Sequence, residues 1–389
     1  MRNLRERLMA VASKPPAPKA APPKPAEAFF CREQIVPLES LRGIEWVTLD
    51  EIQACDPLFT GKAWDVRRVL FLDTETTGLS GGAGTVAFEI GLGFIDARGM
   101  VIRQYVMRDY GEEGPMLSEI AALISRFDTI VSFNGKSFDL PLMESRMVMN
   151  RIRLPLTQMP HLDLLHIARR VYKLRLKRCN LASLEEAVLG QERKDDLPGA
   201  QVPQRYFDYI KTKEFSLLED VLRHNFDDVK SLAVLTGHFA AVFRNPEMLL
   251  EPQDLFGVGK TLLRTGRTER GRKCLRIAGR STLASGAHMV RASSYKKERQ
   301  WQAAAEMWKS MIARGVGGTA PYIELAKYCE HVKKDNKMAL SYATGALRYM
   351  LNIAPLCGMD ESEKDNIRRR IERLRRKIEK ENQAGGTDT

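Results

Sequence analysis

Four carboxylates stand in an order that could hold metal ions. Asp73 and Glu75 sit in Phe71-Leu-Asp-Thr-Glu-Thr-Thr-Gly-Leu79, Asp139 in Phe133-Asn-Gly-Lys-Ser-Phe-Asp-Leu-Pro141, and Asp228 in His224-Asn-Phe-Asp-Asp228. Hard divalent cations such as Mg²⁺ prefer carboxylate oxygens. Two such ions about 4 Å apart can activate a water and stabilise the leaving oxygen of a phosphodiester. Asp-x-Glu on a strand turns both acids to one face. The residues around them extend the chemistry. Thr76, Thr77, Asn134 and Lys136 are placed to approach a phosphate, and His224 and Asn225 lie about one helical turn before Asp228. Asp139 at a helix start could instead be an N-cap, and Asp227 is the other candidate for the last acid.

The elements that must position these residues follow from the pattern. Val69-Leu70-Phe71-Leu72 is a buried strand ending at Asp73, and Val86–Phe94 and Val101–Met107 read as two further strands. Ser80–Gly84 is a turn signal. A helix over Met116–Phe127, a strand at Ile130–Phe133 and a helix from Asp139 to about Asn150 complete an α/β order. Residues 163–250 read as mostly helical, with Leu164–Tyr172, a helix opening at Ser183, and a long one from about Leu217 to Phe243. Residues 10–27 are Ala, Pro and Lys, so residues 1–29 are expected to be a basic flexible arm. The expected second domain is 30–250, with its core at 65–245.

After Pro252 the strand signals end. Helical pairs recur at offsets of 33 and 36 residues, which suggests a tetratricopeptide-like array over 251–389. A last helix from about Glu361 to Lys380 has a narrow apolar stripe at Ile367, Ile371, Leu374 and Ile378, as a capping helix would. Charge is uneven within the net +12: residues 1–29 carry +4, residues 30–251 carry −5 and residues 252–389 carry +13. The basic end suits a polyanion, or it is a solvated helical surface. Six scattered cysteines form no Cys-x-x-Cys pair, and no apolar run reaches membrane-span length, which fits a cytoplasmic chain without a membrane partner.

Taken together, the three acid motifs resemble the DEDD superfamily of 3′→5′ exonucleases. The branch they resemble is the YprB-type ribonuclease-H-like family, on His161-Leu-Asp-Leu-Leu165, Ala168-Arg-Arg170 and Asp195-Asp-Leu-Pro-Gly199 as well. The resemblance covers roughly 65–245. It implies a ribonuclease-H-like mixed sheet flanked by helices and a nucleic-acid substrate, DNA or RNA. It implies two Mg²⁺ or Mn²⁺ ions, with Asp73 bridging them, Glu75 and Asp228 completing one site, and Asp139 holding the second. The residue that activates water in the superfamily is a Tyr four before the last Asp or a His five before it. Here it is His224, four before. His161 and Asp163 either add a carboxylate near the ions or support the site from outside. Asp195–Gly199 reads as a turn without chemistry. The expected function is thus a metal-dependent 3′→5′ exonuclease. The other reading is a non-catalytic nucleic-acid-binding or scaffold protein that recruits a protein partner through its helical repeats.

Overall fold

In a computed structural model, residues 28–41, 43–78, 84–193, 196–357 and 360–384 are described. Most of the expected arm, most of the Ser80–Gly84 turn and Asp195 lie outside them.

Six strands form one mixed sheet in the order β1-β4-β3-β2-β5-β6: β1 Phe30–Val36, β2 Val69–Thr76, β3 Ala87–Asp96, β4 Gly99–Val106, β5 Thr129–Ser132 and β6 His161–Asp163. β1 to β4, β4 to β3 and β3 to β2 are antiparallel, whereas β2 to β5 and β5 to β6 are parallel. Helices cover both faces. Alternation along β2 feeds both layers, with Val69 and Phe71 in one apolar cluster and Leu70 and Leu72 in the other.

The layer under Leu70 and Leu72 holds α2 (Glu113–Ile124) and α3 (Asp139–Met149), through Met116, Ile120, Met143 and Met147. The layer under Phe71 holds α1 (Leu49–Cys55) and α4 (Leu164–Tyr172). A short helix α5 (Leu181–Leu184) runs into one π turn at Glu185–Leu189, followed by α6 (Val202–Thr212) and the 26-residue α7 (Glu219–Arg244). From Val229 onward α7 packs against Phe71.

Two sequence expectations shift. Ala28 and Phe29 are buried with Tyr105, so the chain joins the core two residues before the expected end of the arm. The helix expected at Ser183 begins two residues earlier, at Leu181, because Asn180 is its N-cap and its Oδ1 accepts the Ser183 N–H.

Seven helices follow: α8 Pro252–Arg264, α9 Thr268–Ala278, α10 Ala284–Lys297, α11 Trp301–Ala313, α12 Ala320–Tyr328, α13 Asn336–Cys357 and α14 Glu361–Ala384. A residue with left-handed backbone separates the helices of three successive pairs: Gly266, Arg299 and Lys334. Their spacing reflects the expected repeat. In α14, Ile367, Ile371 and Leu374 are buried against Ala343, Ala346 and Trp308. Leu255, Val258 and Leu262 of α8 and Leu275 of α9 belong to the same apolar cluster as Phe71, so the first helices of this region complete the core beneath the sheet.

Candidate active site

The acids meet at the C-terminal end of β2. Asp73 and Glu75 continue the face of Phe71, toward α7. Two glycines of β3 let that helix come close. Gly91 is opposite Asp73 in register, and a Cβ on it would lie 2.1 Å from Asn225 Oδ1 and 2.7 Å from Val229. A Cβ on Gly93, opposite Phe71, would also meet Val229 at 2.7 Å. Both strand glycines mark a close helix approach.

The same approach buries Asn225 completely and brings its Nδ2 to Asp73 Oδ2, to which it donates at 3.0 Å. Gln104 Nε2 donates to Asn225 Oδ1 at 3.2 Å and to Glu89 Oε1 at 2.9 Å. Asn225 thus fixes the orientation of Asp73. From the preceding residue of α7, His224 Nε2 stands 3.8 Å from Glu75 and 3.7 Å from Asp228. Its Nδ1 is 2.7 Å from Asp196 Oδ1. An ionised carboxylate there holds a proton on Nδ1 and leaves Nε2 facing the acids. Asp228 belongs to this group, whereas Asp227 lines a neighbouring cavity with Lys230 and Arg223.

Asp139 arrives from the opposite layer. It is the first residue of α3 and not its N-cap, which is Phe138. Its Oδ1 accepts the Thr74 hydroxyl, from the face of β2 opposite Asp73. Asp163, 2% exposed, accepts the backbone N–H groups of Asn134 at 2.9 Å, Lys136 at 3.2 Å and Leu165 at 3.1 Å. His161 Nε2 is 2.9 Å from Ser132 Oγ, which itself accepts the Gly135 N–H. Both residues thus hold the 134–136 loop from behind. Asn134 has a φ of 69°, a left-handed conformation that Asn tolerates. Lys136 is exposed on that loop. Thr76 Oγ1 donates to Gly78 O and Thr77 Oγ1 accepts the Val86 N–H, so both hydroxyls shape the strand exit.

The electrostatics are those of crowded acids. Burial, then Asp228, Glu75 and Asp139, hold Asp73 well above the usual carboxylate range. Burial and Glu89 do the same to Glu75, and burial pushes Asp139 up to about 6 against the Thr74 hydroxyl. Burial raises Asp228, opposed chiefly by Arg193, whose Nη2 is 2.5 Å from Asp228 Oδ1. As the side chains stand, Asp228 is turned to Arg193 and Asp139 to Thr74. Among the described residues no three Asp, Glu, His or Cys side chains are gathered around one point closely enough to ligate an ion. The donor set nevertheless suits hard divalent cations: four oxygen-bearing side chains whose charges oppose one another.

Three participants escaped the sequence reading. Asp196 lay in the stretch read as a turn without chemistry, yet it holds His224. Arg193 reaches Asp228 across 35 residues of sequence, and no motif announces it. Glu89, 1% exposed, faces Glu75 across β2 and β3. An acid inside the apolar Val86–Phe94 run was the signal available for it.

Comparison with known proteins gives the family of the chain. The RNase_H_2 family of the RNase_H superfamily matches residues 70–240. The chain is 31% identical over 365 residues to the uncharacterized protein YprB of Bacillus subtilis (strain 168), an alignment covering 90% of this chain and 86% of that one. The family B DNA polymerase of the hyperthermophilic archaeon Pyrobaculum calidifontis aligns over 61% of this chain with a TM-score of 0.37 and 14% identity. The chain spans about a third of that polymerase (30%), and so loose a likeness adds nothing to the argument. No described helix is long and apolar enough to cross a membrane. The sheet, the matched region and the extended identity make one conclusion plain: the chain belongs to the ribonuclease-H-like family that includes YprB.

Proposed function

We propose that the protein is a metal-dependent nuclease that removes nucleotides from the 3′ end of a nucleic acid. One observation carries the reading. Asp73, Glu75, Asp139 and Asp228 converge on the end of a single strand, each within reach of another's charge, with His224 Nε2 facing two of them. Asp73 would be shared between two Mg²⁺ or Mn²⁺ ions, with Glu75 and Asp228 completing one site and Asp139 the other. Ions held there supply a nucleophilic water at neutral pH and stabilise charge on the leaving oxygen.

The chain's own residues do the rest. His224 takes a proton at Nε2 while Asp196 fixes its ring through Nδ1. Asn225 keeps Asp73 in one rotamer. Asp163 holds the loop from which Asn134 and Lys136 reach a phosphate. The surplus of positive charge in residues 252–389 supports a polyanionic substrate extending past the site.

The test uses 5′-labelled single- and double-stranded DNA and RNA with Mg²⁺ or Mn²⁺, with Asp73→Asn as control. A ladder shortening from the 3′ end in the wild type alone is the expected result. Binding without shortening on every substrate would favour the non-catalytic reading, with the helical region then recruiting a protein partner.

A further inference from the structure

Among the described residues, Arg193 is the one cation in contact with the acid cluster for which the proposed reaction has no use. Its Nη2 contacts both Asp228 Oδ1 and Glu185 Oε1 at 2.5 Å, and its Nη1 lies 3.4 Å from Asp196 Oδ2. We infer that Arg193 is the resident counter-cation of this site: it holds Asp228 Oδ1 while no divalent ion is bound, competes with an incoming ion for that carboxylate, and thereby sets the site's affinity for metal. The inference rests on the proposed function, because it takes Asp228 as a ligand.

Three features support a group that can leave. First, the two short contacts converge on the same nitrogen. When Asp228 turns to an ion, the guanidinium keeps Glu185, which is 2% exposed and whose Oε2 is buried without a hydrogen-bond partner among the described residues. The arginine therefore has a waiting anion. Second, its backbone belongs to no regular element. The π turn at Glu185–Leu189 ends at Gly190 with a φ of 66°, and Gln191 and Glu192 are exposed. Withdrawal of the side chain unfolds no helix or strand. Third, Arg193 also lines a cavity of about 260 Å³ with Gln191, Arg223, Asp227 and Lys230, which gives the guanidinium room to move.

A guanidinium and a divalent ion on the same carboxylate compete for its charge, because each weakens the hold of the other. The unit charge of Arg193 opposes a second cation through a poorly screened interior. An arginine that merely tethered the 190–198 loop would have no such effect on metal affinity. The two roles therefore separate in a binding experiment.

Mn²⁺ binding to the full-length protein is measured by electron paramagnetic resonance of the free ion, without substrate. Arg193→Gln should bind Mn²⁺ about tenfold more tightly or better, since the competing charge is gone. Glu185→Gln should shift affinity the other way: local negative charge falls and the guanidinium is left undivided on Asp228. Unchanged or weaker binding by Arg193→Gln would overturn the inference. Should that variant not fold, unchanged or tighter binding by Glu185→Gln does the same. Asp73→Asn distinguishes the two levels of argument. If wild type and Asp73→Asn bind Mn²⁺ alike, the acid cluster is not the metal site and the proposed function falls with the inference. If Asp73→Asn alone abolishes binding while Arg193→Gln leaves it unchanged, only the inference fails.

Discussion

Glu185 and Glu330 are near twins in backbone and opposites in charge balance. Each is buried in a single π turn, Glu185–Leu189 or Cys329–Lys333, and each turn ends in a left-handed residue, Gly190 or Lys334. Glu330 receives Arg370 at 3.1 Å, Arg373 at 2.7 Å and Lys377 at 2.8 Å, all from α14. Glu185 has one partner, Arg193, and shares it with Asp228. Local π geometry recurs at functional sites, but here it serves two ends. Three cations on one carboxylate make a staple for the last helix. One cation between two carboxylates makes a contact that a stronger cation can displace. Glu89 extends the series: among the described residues its side chain contacts the Gln104 amide and no cation, and burial pushes it up to about 8.

The largest effect should come from removing a carboxylate on the cation-poor side. Asp73→Asn and Asp228→Asn should each lower kcat by about 10²-fold or more, because an amide keeps shape but not charge. Thermal stability should not fall in Asp73→Asn, since that substitution relieves repulsion among the acids. Turnover near wild type in both variants would break the assignment.

His224→Ala should cost less than either acid substitution and should flatten the acid limb of the pH–rate profile. Asp196→Asn should follow with a smaller loss, because it misorients the ring without removing it. An unchanged pH profile in His224→Ala would leave the histidine without the role of base.

On the staple side the effect should be on stability alone. Glu330→Ala leaves Arg370, Arg373 and Lys377 facing one another. With these cations partly solvated, it should cost about 1–3 kcal/mol and speed amide exchange in α14. Mn²⁺ affinity should not change. An altered affinity would break the contrast between the two glutamates.

The smallest effect sharpens the series through pH. Glu89 binds its proton more tightly folded than unfolded, so its contribution favours folding below about pH 4.5 and is lost as pH rises to about 8. Glu89→Gln should remove that loss, so that its Tm rises more over wild type at pH 8 than near pH 5. Equal shifts at both pH values would show that Glu89 does not titrate in that interval.

The acids were readable because each sits in a short motif whose flanks announce its element: an apolar run before Asp73, a strand and loop before Asp139, helical spacing from His224 to Asp228. The central strands were readable for the same reason. β1 was not. It is an edge strand carrying Arg32, Glu33 and Gln34, with mostly exposed or half-buried residues, and only its pairing with β4 makes it a strand. β6 is three residues long and depends on β5 in the same way. Arg193 and Asp196 were hidden because irregular backbone has no periodicity, and their partners on α7 lie 35 and 28 residues away in sequence. In general, what depended on neighbours along the chain could be read, and what depended on neighbours in space could not.

The shared core beneath the sheet has a consequence for how this chain can be divided. Gly257 of α8 rests on the backbone of α4 so closely that a Cβ would lie 2.5 Å from Arg170 O and 2.6 Å from Val171 O. Leu255, Val258 and Leu262 fill the space below. A cut at residue 250 would therefore uncover an oily face instead of releasing a finished catalytic half. The helical region is less a tool bolted to an enzyme than the lower wall of the same building.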